Sequence, residues 1–168
     1  MKSILRYTAA GLALATVGIA WNASAATASA SADAQILSAL SVARTGGSLN
    51  FGSVAESGSG GTVTVSPLAA KSCTPGLLCT GTATVPTFRI TGALSAPVTV
   101  AFALNTIVLN GPSGATMNVD LVSSVGNATV LDSVTGLKDF TVGGQLTVAA
   151  AQAAGAYTGT MNVTVLYQ

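Results

Sequence analysis

Hydrophobic and polar residues alternate along most of the chain after residue 40, in short runs separated by turn-forming residues. The clearest run closes the sequence, where six residues share one face of an extended strand: Tyr157, Gly159, Met161, Val163, Val165 and Tyr167. The residues between them are mostly Thr, Asn and Gln. A period of two over this length is typical of a β-strand with one buried face.

Shorter runs of the same kind predict further strands over residues 36–42, 62–66, 84–91, 97–104, 107–109, 117–122, 128–131, 140–142 and 146–148. Thr45-Gly46-Gly47 and Gly143-Gly144 are interpreted as turns between them. Pro86 places the strand around it at a sheet edge, or makes it begin after the proline. About eight to ten short strands without a helical period predict an all-β protein, an immunoglobulin-like β-sandwich.

The first residues have the composition of a secretory signal peptide. Lys2 and Arg6 precede an uncharged apolar stretch over residues 7–21, and Ala23-Ser24-Ala25 forms a cleavage site of small residues. The apolar stretch is shorter than the roughly 20 residues of a membrane-spanning helix. We therefore expect residues 1–25 to be removed, leaving an exported protein without an integral membrane segment in the periplasm, at the cell surface or outside the cell.

Residues 26–35 form a distinct segment before the expected β-domain of residues 36–168. Alanine occupies every second position from Ala26 to Ala34, with Thr, Ser or Asp33 between. Such small side chains cannot bury enough apolar surface to offset the entropy lost on ordering the segment. This arm is therefore either flexible or a strand that forms only against a partner.

The two cysteines, Cys73 and Cys79, enclose a Pro-Gly turn. In an exported protein such a pair predicts a disulfide, the alternatives being two free thiols or a metal site. A metal site would need ligands that the neighbouring sequence does not supply. We therefore expect no metal.

The remaining composition argues against catalysis and against charged partners. Six Lys and Arg face five Asp and Glu, and two of those bases belong to the signal peptide. This balance gives no basic surface for nucleic acid. The sequence has no histidine, and no two carboxylates have the spacing of a catalytic pair. We expect no catalytic residues, no enzyme activity and no cofactor.

The C-terminal strand resembles the C-terminal motif of pilins assembled by the chaperone–usher route, with Gly155 fourteenth from the end and Tyr167 penultimate. Leu49-Asn50-Phe51-Gly52 and the run 155–160 resemble the spore-coat-U-like branch of such subunits. Over residues 34–168 the pattern is most similar to an uncharacterised family of secreted, pilin-like domains from alphaproteobacteria. It shares the stretches 88–92 and 142–146 with that family.

The pilin resemblance implies a sandwich that lacks its final strand, completed first by a periplasmic chaperone, which works with an usher, and then by the arm of the next subunit. It assigns the interface to six residues: Gly155, Tyr157, Met161, Val163, Val165 and Tyr167. The donor is the Ala-rich arm or the heavier segment with Ile36, Leu40 and Val42, unless no exchange occurs. Two hypotheses follow, a fimbria-like subunit that polymerises by strand exchange and a self-complete secreted β-sandwich that acts as a surface or adhesive module.

Overall fold

A computed structural model describes residues 27–56 and 58–168. The predicted signal peptide and Ala26 lie outside the described residues. The chain divides into two units, Met1–Gln35 and Ile36–Gln168. In the first unit the described residues, 27–35, are exposed and form neither helix nor strand.

The second unit is all-β, as the sequence predicts, and its described residues contain no α-helix beyond a single 3₁₀ turn at Pro112–Gly114. Its twelve strands are β1 Ser41–Gly46, β2 Ser53–Glu56, β3 Gly61–Val65, β4 Lys71–Cys73, β5 Leu77–Thr80, β6 Thr87–Thr91, β7 Pro97–Phe102, β8 Thr106–Asn110, β9 Thr116–Ser123, β10 Ala128–Val130, β11 Leu137–Val148 and β12 Val163–Tyr167.

The strands form one large curled sheet and two smaller sheets, and every pairing is antiparallel. The large sheet runs in the order β1-β6-β11-β3-β4, with β9 and then β8 added beside β11. A three-stranded sheet has the order β10-β7-β12, and β2 pairs with β5 as a separate ribbon. Both smaller sheets end in strands with only one partner, so they leave backbone edges unpaired.

The twelve residues of β11 organise the large sheet. Its first part pairs with β6, and its second part is flanked by β3 and β9 on opposite edges. The predicted turn at Gly143-Gly144 is wrong, because both glycines continue this strand. A Cβ on Gly143 would collide with the carbonyl oxygen of Val65, so glycine permits a close approach of backbones here and does not reverse the chain.

One hydrophobic cluster joins residues of the large sheet to those of the three-stranded sheet. Its least exposed members are Val63, Ile90, Val98, Val119 and Val142. No polar or charged residue is among the buried residues of the described chain. The core is therefore aliphatic with a few aromatic rings, and Phe88 stacks on Phe140 at 5.4 Å between ring centroids.

Several strand boundaries differ from the sequence prediction. The first strand begins at Ser41 and runs through Thr45 and Gly46, which the sequence analysis assigned to a turn. The last strand starts only at Val163, six residues later than the alternation begins. By contrast, β6 begins directly after Pro86, because proline has no N–H to donate to the ladder. Strands β2, β4 and β5, of three or four residues each, were not predicted.

Candidate functional site

The backbone of β12 is paired along one edge only. At the two ends of its ladder with β7, Ala103 N–H donates to Asn162 C=O (3.1 Å) and Gln168 N–H to Pro97 C=O (3.2 Å). Residues of an antiparallel strand alternate between its two edges, so the even-numbered residues of β12 face β7. No strand pairs with the other edge in the described chain, and this edge carries the N–H and C=O groups of three residues: Val163, Val165 and Tyr167.

The side chains of the same strand alternate as the sequence predicts. Those of the interface residues Met161, Val163, Val165 and Tyr167 pack against the core but remain half-buried, while those between them are exposed. A strand flanked on both sides would lose the remaining accessible surface to its neighbours. The half-burial therefore coincides with the open backbone edge.

Strand β1 presents a second open edge next to β12. Ser41 and Ala43 direct their backbone groups toward β6, which leaves Val42 and Arg44 facing outward. The two strands lie close together without pairing. Of the heavier donor candidates, Leu40 and Val42 pack against the chain's own core, whereas Ile36 is 96% exposed.

Beyond Met161 the gap between these two edges widens into a cavity of about 960 Å³. We call this cavity the groove. One wall is the segment 48–55, the other is the segment 152–159, and six apolar residues line the floor: Ile107, Leu109, Met117, Val119, Leu146 and Val148. The volume lies at the upper end of the range of small-molecule sites, and the floor belongs to the hydrophobic core. The groove thus lies over part of the core, next to the segment that leads into β12.

Two predicted interface residues have fixed positions in the groove wall. The Tyr157 hydroxyl donates to Ala153 C=O and accepts from the Gln152 side-chain amide, both at 2.7 Å. Gly155 lies against Pro112, where a Cβ would approach the proline ring to 2.7 Å. Gly155 is therefore required by packing within the chain, and Tyr157 anchors the segment between β11 and β12.

Tyr167 closes the gap between β1 and β12 at the end opposite the groove. Its hydroxyl donates to Ser38 C=O (2.8 Å) and accepts from Ala93 N–H (2.7 Å). One phenol therefore joins the last strand to the chain before β1 and to the loop after β6. The structure places Tyr167, Val163 and Val165 on β12, with Met161, Tyr157 and Gly155 in the segment that precedes it.

The opposite wall contains the motif Leu49-Asn50-Phe51-Gly52, which the sequence analysis connected with the family but not with the site. Phe51 is buried and Leu49 half-buried, and both line the groove. Asn50 accepts a 2.8 Å hydrogen bond from Gly52 N–H. Gly52 has φ +76°, which disfavours residues with a side chain, and a Cβ there would meet Thr80 C=O. The motif therefore shapes a tight bend that directs two apolar side chains into the groove.

The predicted disulfide between Cys73 and Cys79 is confirmed. It connects β4 of the large sheet to β5 of the β2–β5 ribbon, and Cys79 pairs with Val54, a residue of the groove wall. Lys71 adds a second tether, donating to the carbonyl groups of Thr80 (2.8 Å) and Gly81 (2.6 Å). The disulfide was predicted from the sequence, but its role in supporting the groove wall was not.

Charged groups concentrate outside the groove. On the solvent face of the large sheet, Arg89 donates two 2.7 Å hydrogen bonds to Asp139, which lower the pKa of Asp139 and raise that of Arg89. In the turn before β11, hydrogen bonds from the N–H groups of Thr135 and Val134, and from the Thr135 hydroxyl, lower the pKa of Asp132. Among the described residues, the ionisable side chains that line the groove are Arg44 and Tyr157.

Within residues 27–56 and 58–168, no three His, Cys, Asp or Glu side chains gather as a metal site would require. The same part of the chain contains no helix of sufficient length and apolar character to span a membrane.

Comparison with known families places residues 40–167 in a family described as a domain of unknown function, DUF4402. No curated protein and no solved structure matched the chain. The matched range begins at Leu40, just before β1, and ends on Tyr167, so it contains both open edges and the groove between them.

Proposed function

Because the chain belongs to the DUF4402 family, whose function is unknown, we propose a role for it from the groove: a non-enzymatic, exported structural subunit that polymerises by β-strand exchange. The fold would be an immunoglobulin-like or pilin-like sandwich that lacks one strand along the open edge of β12. A second copy would supply that strand through its Ala-rich arm. A periplasmic chaperone and an usher would be the partners before assembly.

This proposal rests on one observation, that β12 has both unpaired backbone groups and incompletely buried apolar side chains. Val163, Val165 and Tyr167 have unpaired backbone groups on one edge, and their side chains are half-buried over the core. A single added strand would satisfy both deficits, because β-augmentation supplies main-chain hydrogen bonds and side chains at alternate positions. An open edge of this kind otherwise invites uncontrolled pairing with other chains.

The energetics allow a donor made of alanine. If each new backbone hydrogen bond contributes about 1 kcal/mol, the six groups of the β12 edge would supply roughly 6 kcal/mol. Four buried alanine methyl groups would add only about 3 kcal/mol at ~0.8 kcal/mol each. Main-chain pairing would then dominate, so the small side chains of the arm do not argue against its being the donor.

The arm also fits the donor role by its position. Residues 27–35 form no strand of their own, while Leu40 and Val42 pack in the chain's own core. A donor must be available to a neighbour, so the arm is the better candidate than the heavier segment. Export is supported by the sequence of residues 1–25 and by the disulfide, which persists in oxidising compartments.

Val165→Pro tests the proposal by removing a backbone N–H group on which strand exchange depends. The N–H of Val165 faces the open edge, so proline there spares the β7 ladder but removes a donor needed by an incoming strand. We expect at least a tenfold loss of polymer in analytical ultracentrifugation of the purified protein. Val165→Ala is the matched control, because it removes packing and keeps the N–H group. Equal assembly of the proline variant and the alanine control would contradict strand exchange.

One observation favours the second candidate, a self-complete monomeric module for surface binding or adhesion. The Tyr167 hydroxyl already joins β12 to Ser38 and Ala93, so the gap is closed at one end without a partner. A wild-type protein that stays monomeric at high concentration and unfolds cooperatively would support this candidate and exclude the polymer.

A further inference from the structure

A group of aliphatic side chains is exposed at the end of the domain opposite the groove. We call this group the apolar pole, and it consists of Ile36, Leu37, Leu94, Val130 and Val134. Val134 is 81% exposed and Leu94 58% exposed. Scattered single apolar residues on a surface need no explanation, but a cluster of large ones marks an interaction site.

Hydrogen bonds in the chain hold these residues together. The Tyr167 hydroxyl joins Ser38, next to Leu37, to Ala93, next to Leu94. A Cβ placed on Gly136 would lie 3.5 Å from the Leu94 side chain, so Leu94 lies beside the turn that contains Val134. The pole therefore combines the chain before β1, the loop after β6 and the turn before β11.

The turn that presents Val134 is ordered by its own side chains. Asp132 Oδ1 accepts hydrogen bonds from Val134 N–H (2.9 Å), Thr135 N–H (2.7 Å) and the Thr135 hydroxyl (2.8 Å). Val134 is thus held outward on a fixed loop, which lowers the entropy cost of using it in a contact. A side chain of this kind is suited to docking.

We propose that the apolar pole docks on a second copy of this chain, against the rim of the groove that receives the arm. This inference rests on the proposed strand exchange. Ser38 is held to its own domain by Tyr167, and the four residue-to-residue steps from Ala34 to Ser38 span at most about 14 Å when extended. A neighbour that binds residues 27–34 must therefore lie beside the pole.

The proposed contact joins the apolar pole of one copy to the groove rim of another. These are different surfaces, because Tyr167 closes the gap between β1 and β12 at the pole, whereas the groove opens at the other end. The arm would leave the acceptor groove at its open end, so the pole of the donor would meet segments 48–55 and 152–159 of the acceptor. A contact between unlike surfaces does not close on itself in a pair of subunits, and it propagates as a filament.

Val134→Asp tests the inference without touching the groove or the arm. We expect the concentration needed for assembly to rise at least tenfold in analytical ultracentrifugation. Binding of a fluorescein-labelled peptide of residues 27–36, measured by fluorescence anisotropy, should stay within twofold of wild type. Leu68→Asp is the matched control, because Leu68 is 89% exposed and lies outside the pole.

The two measurements separate the inference from the proposed function. If Val134→Asp assembles normally and the peptide binds normally, the proposed docking of the apolar pole is wrong and strand exchange is unaffected. A wild-type protein that neither binds the peptide nor assembles contradicts strand exchange and the pole with it. If Leu68→Asp also loses assembly, the proposed docking of the apolar pole is contradicted, because a charge added elsewhere on the surface would then have the same effect as one added in the pole.

Discussion

Strands β11 and β12 have similar alternating sequences and opposite environments. In its second half β11 has a neighbour on each edge, and its inward side chains, such as Val142 and Leu146, are almost fully buried. β12 has one neighbour, and its inward side chains, such as Val163 and Val165, remain half-buried. The difference lies in the number of neighbours and not in the pattern of the strand itself.

This contrast explains why the same protein can contain a rigid centre and a reactive edge. Residues around Gly143 and Gly144 are so close to β3 and β9 that there is no space for added atoms. Around β12 the missing neighbour leaves backbone groups and apolar surface available, and open edges of this type are sites of pairing between chains. Changes at the centre should affect folding, whereas changes at the edge should affect association.

The largest effect is expected from Gly143→Ala in β11. The new methyl group would collide with the backbone carbonyl of Val65 and with Ser66, and backbone cannot rotate away as a side chain can. We expect a loss of more than about 3 kcal/mol in the free energy of unfolding, measured by urea denaturation. Gly46→Ala in β1 is the control, since no atom lies within 4 Å of its added Cβ. Similar free energies of unfolding for the two variants would contradict the conclusion that the centre of β11 is packed too tightly to accept a methyl group.

Parts of this fold were accessible from the sequence because the signals are local. The disulfide followed from two cysteines around a Pro-Gly turn, and the start of β6 after Pro86 was one of the two alternatives that the proline allowed. The buried face of the last strand followed from alternation alone. In each case the residues that decide the structure are neighbours in the chain.

The errors have the opposite origin. Gly143-Gly144 suggests a turn, and only the distant strand β3 makes these glycines part of a strand. The alternation beginning at Tyr157 predicts a long strand, but β7 ends at Phe102, so the ladder does not extend beyond the hydrogen bond from Ala103 N–H to Asn162 C=O. The groove walls were missed for the same reason, since segment 48–55 and segment 152–159 are about a hundred residues apart.

A smaller effect is expected from removing the tether of the groove wall with Cys73→Ser/Cys79→Ser. The disulfide limits the unfolded chain, and for so short a loop the entropy model gives about 2 kcal/mol of stability. Because β2 and β5 pair only with each other, their amides should exchange faster with deuterium in the variant. Amides of β6 and β11 should remain slow. Uniform acceleration across all strands would show that the ribbon is not an independent element.

The smallest effect concerns the turn that leads into β11, where Asp132 accepts hydrogen bonds from Val134 and Thr135. These bonds lower the pKa of Asp132 in the folded protein, so the ionised carboxylate is favoured by folding. Its contribution is present above the ordinary aspartate pKa of about 3.9 and is lost as the pH falls through the lower, folded value. The carboxylate is exposed, and water screens the interaction, so the change should stay local to the turn and spare the centre of β11.

Amide chemical shifts of Val134 and Thr135, followed by NMR from pH 6 to pH 2, measure this titration directly. We expect both to move with a midpoint below about 3.9, while amides at Val142 and Leu146 do not follow it. In Asp132→Asn the same two shifts should no longer titrate, because an amide side chain carries no acidic proton. A midpoint at or above the ordinary value would contradict this prediction, because the hydrogen bonds from Val134 and Thr135 would then not favour the ionised carboxylate over the neutral one.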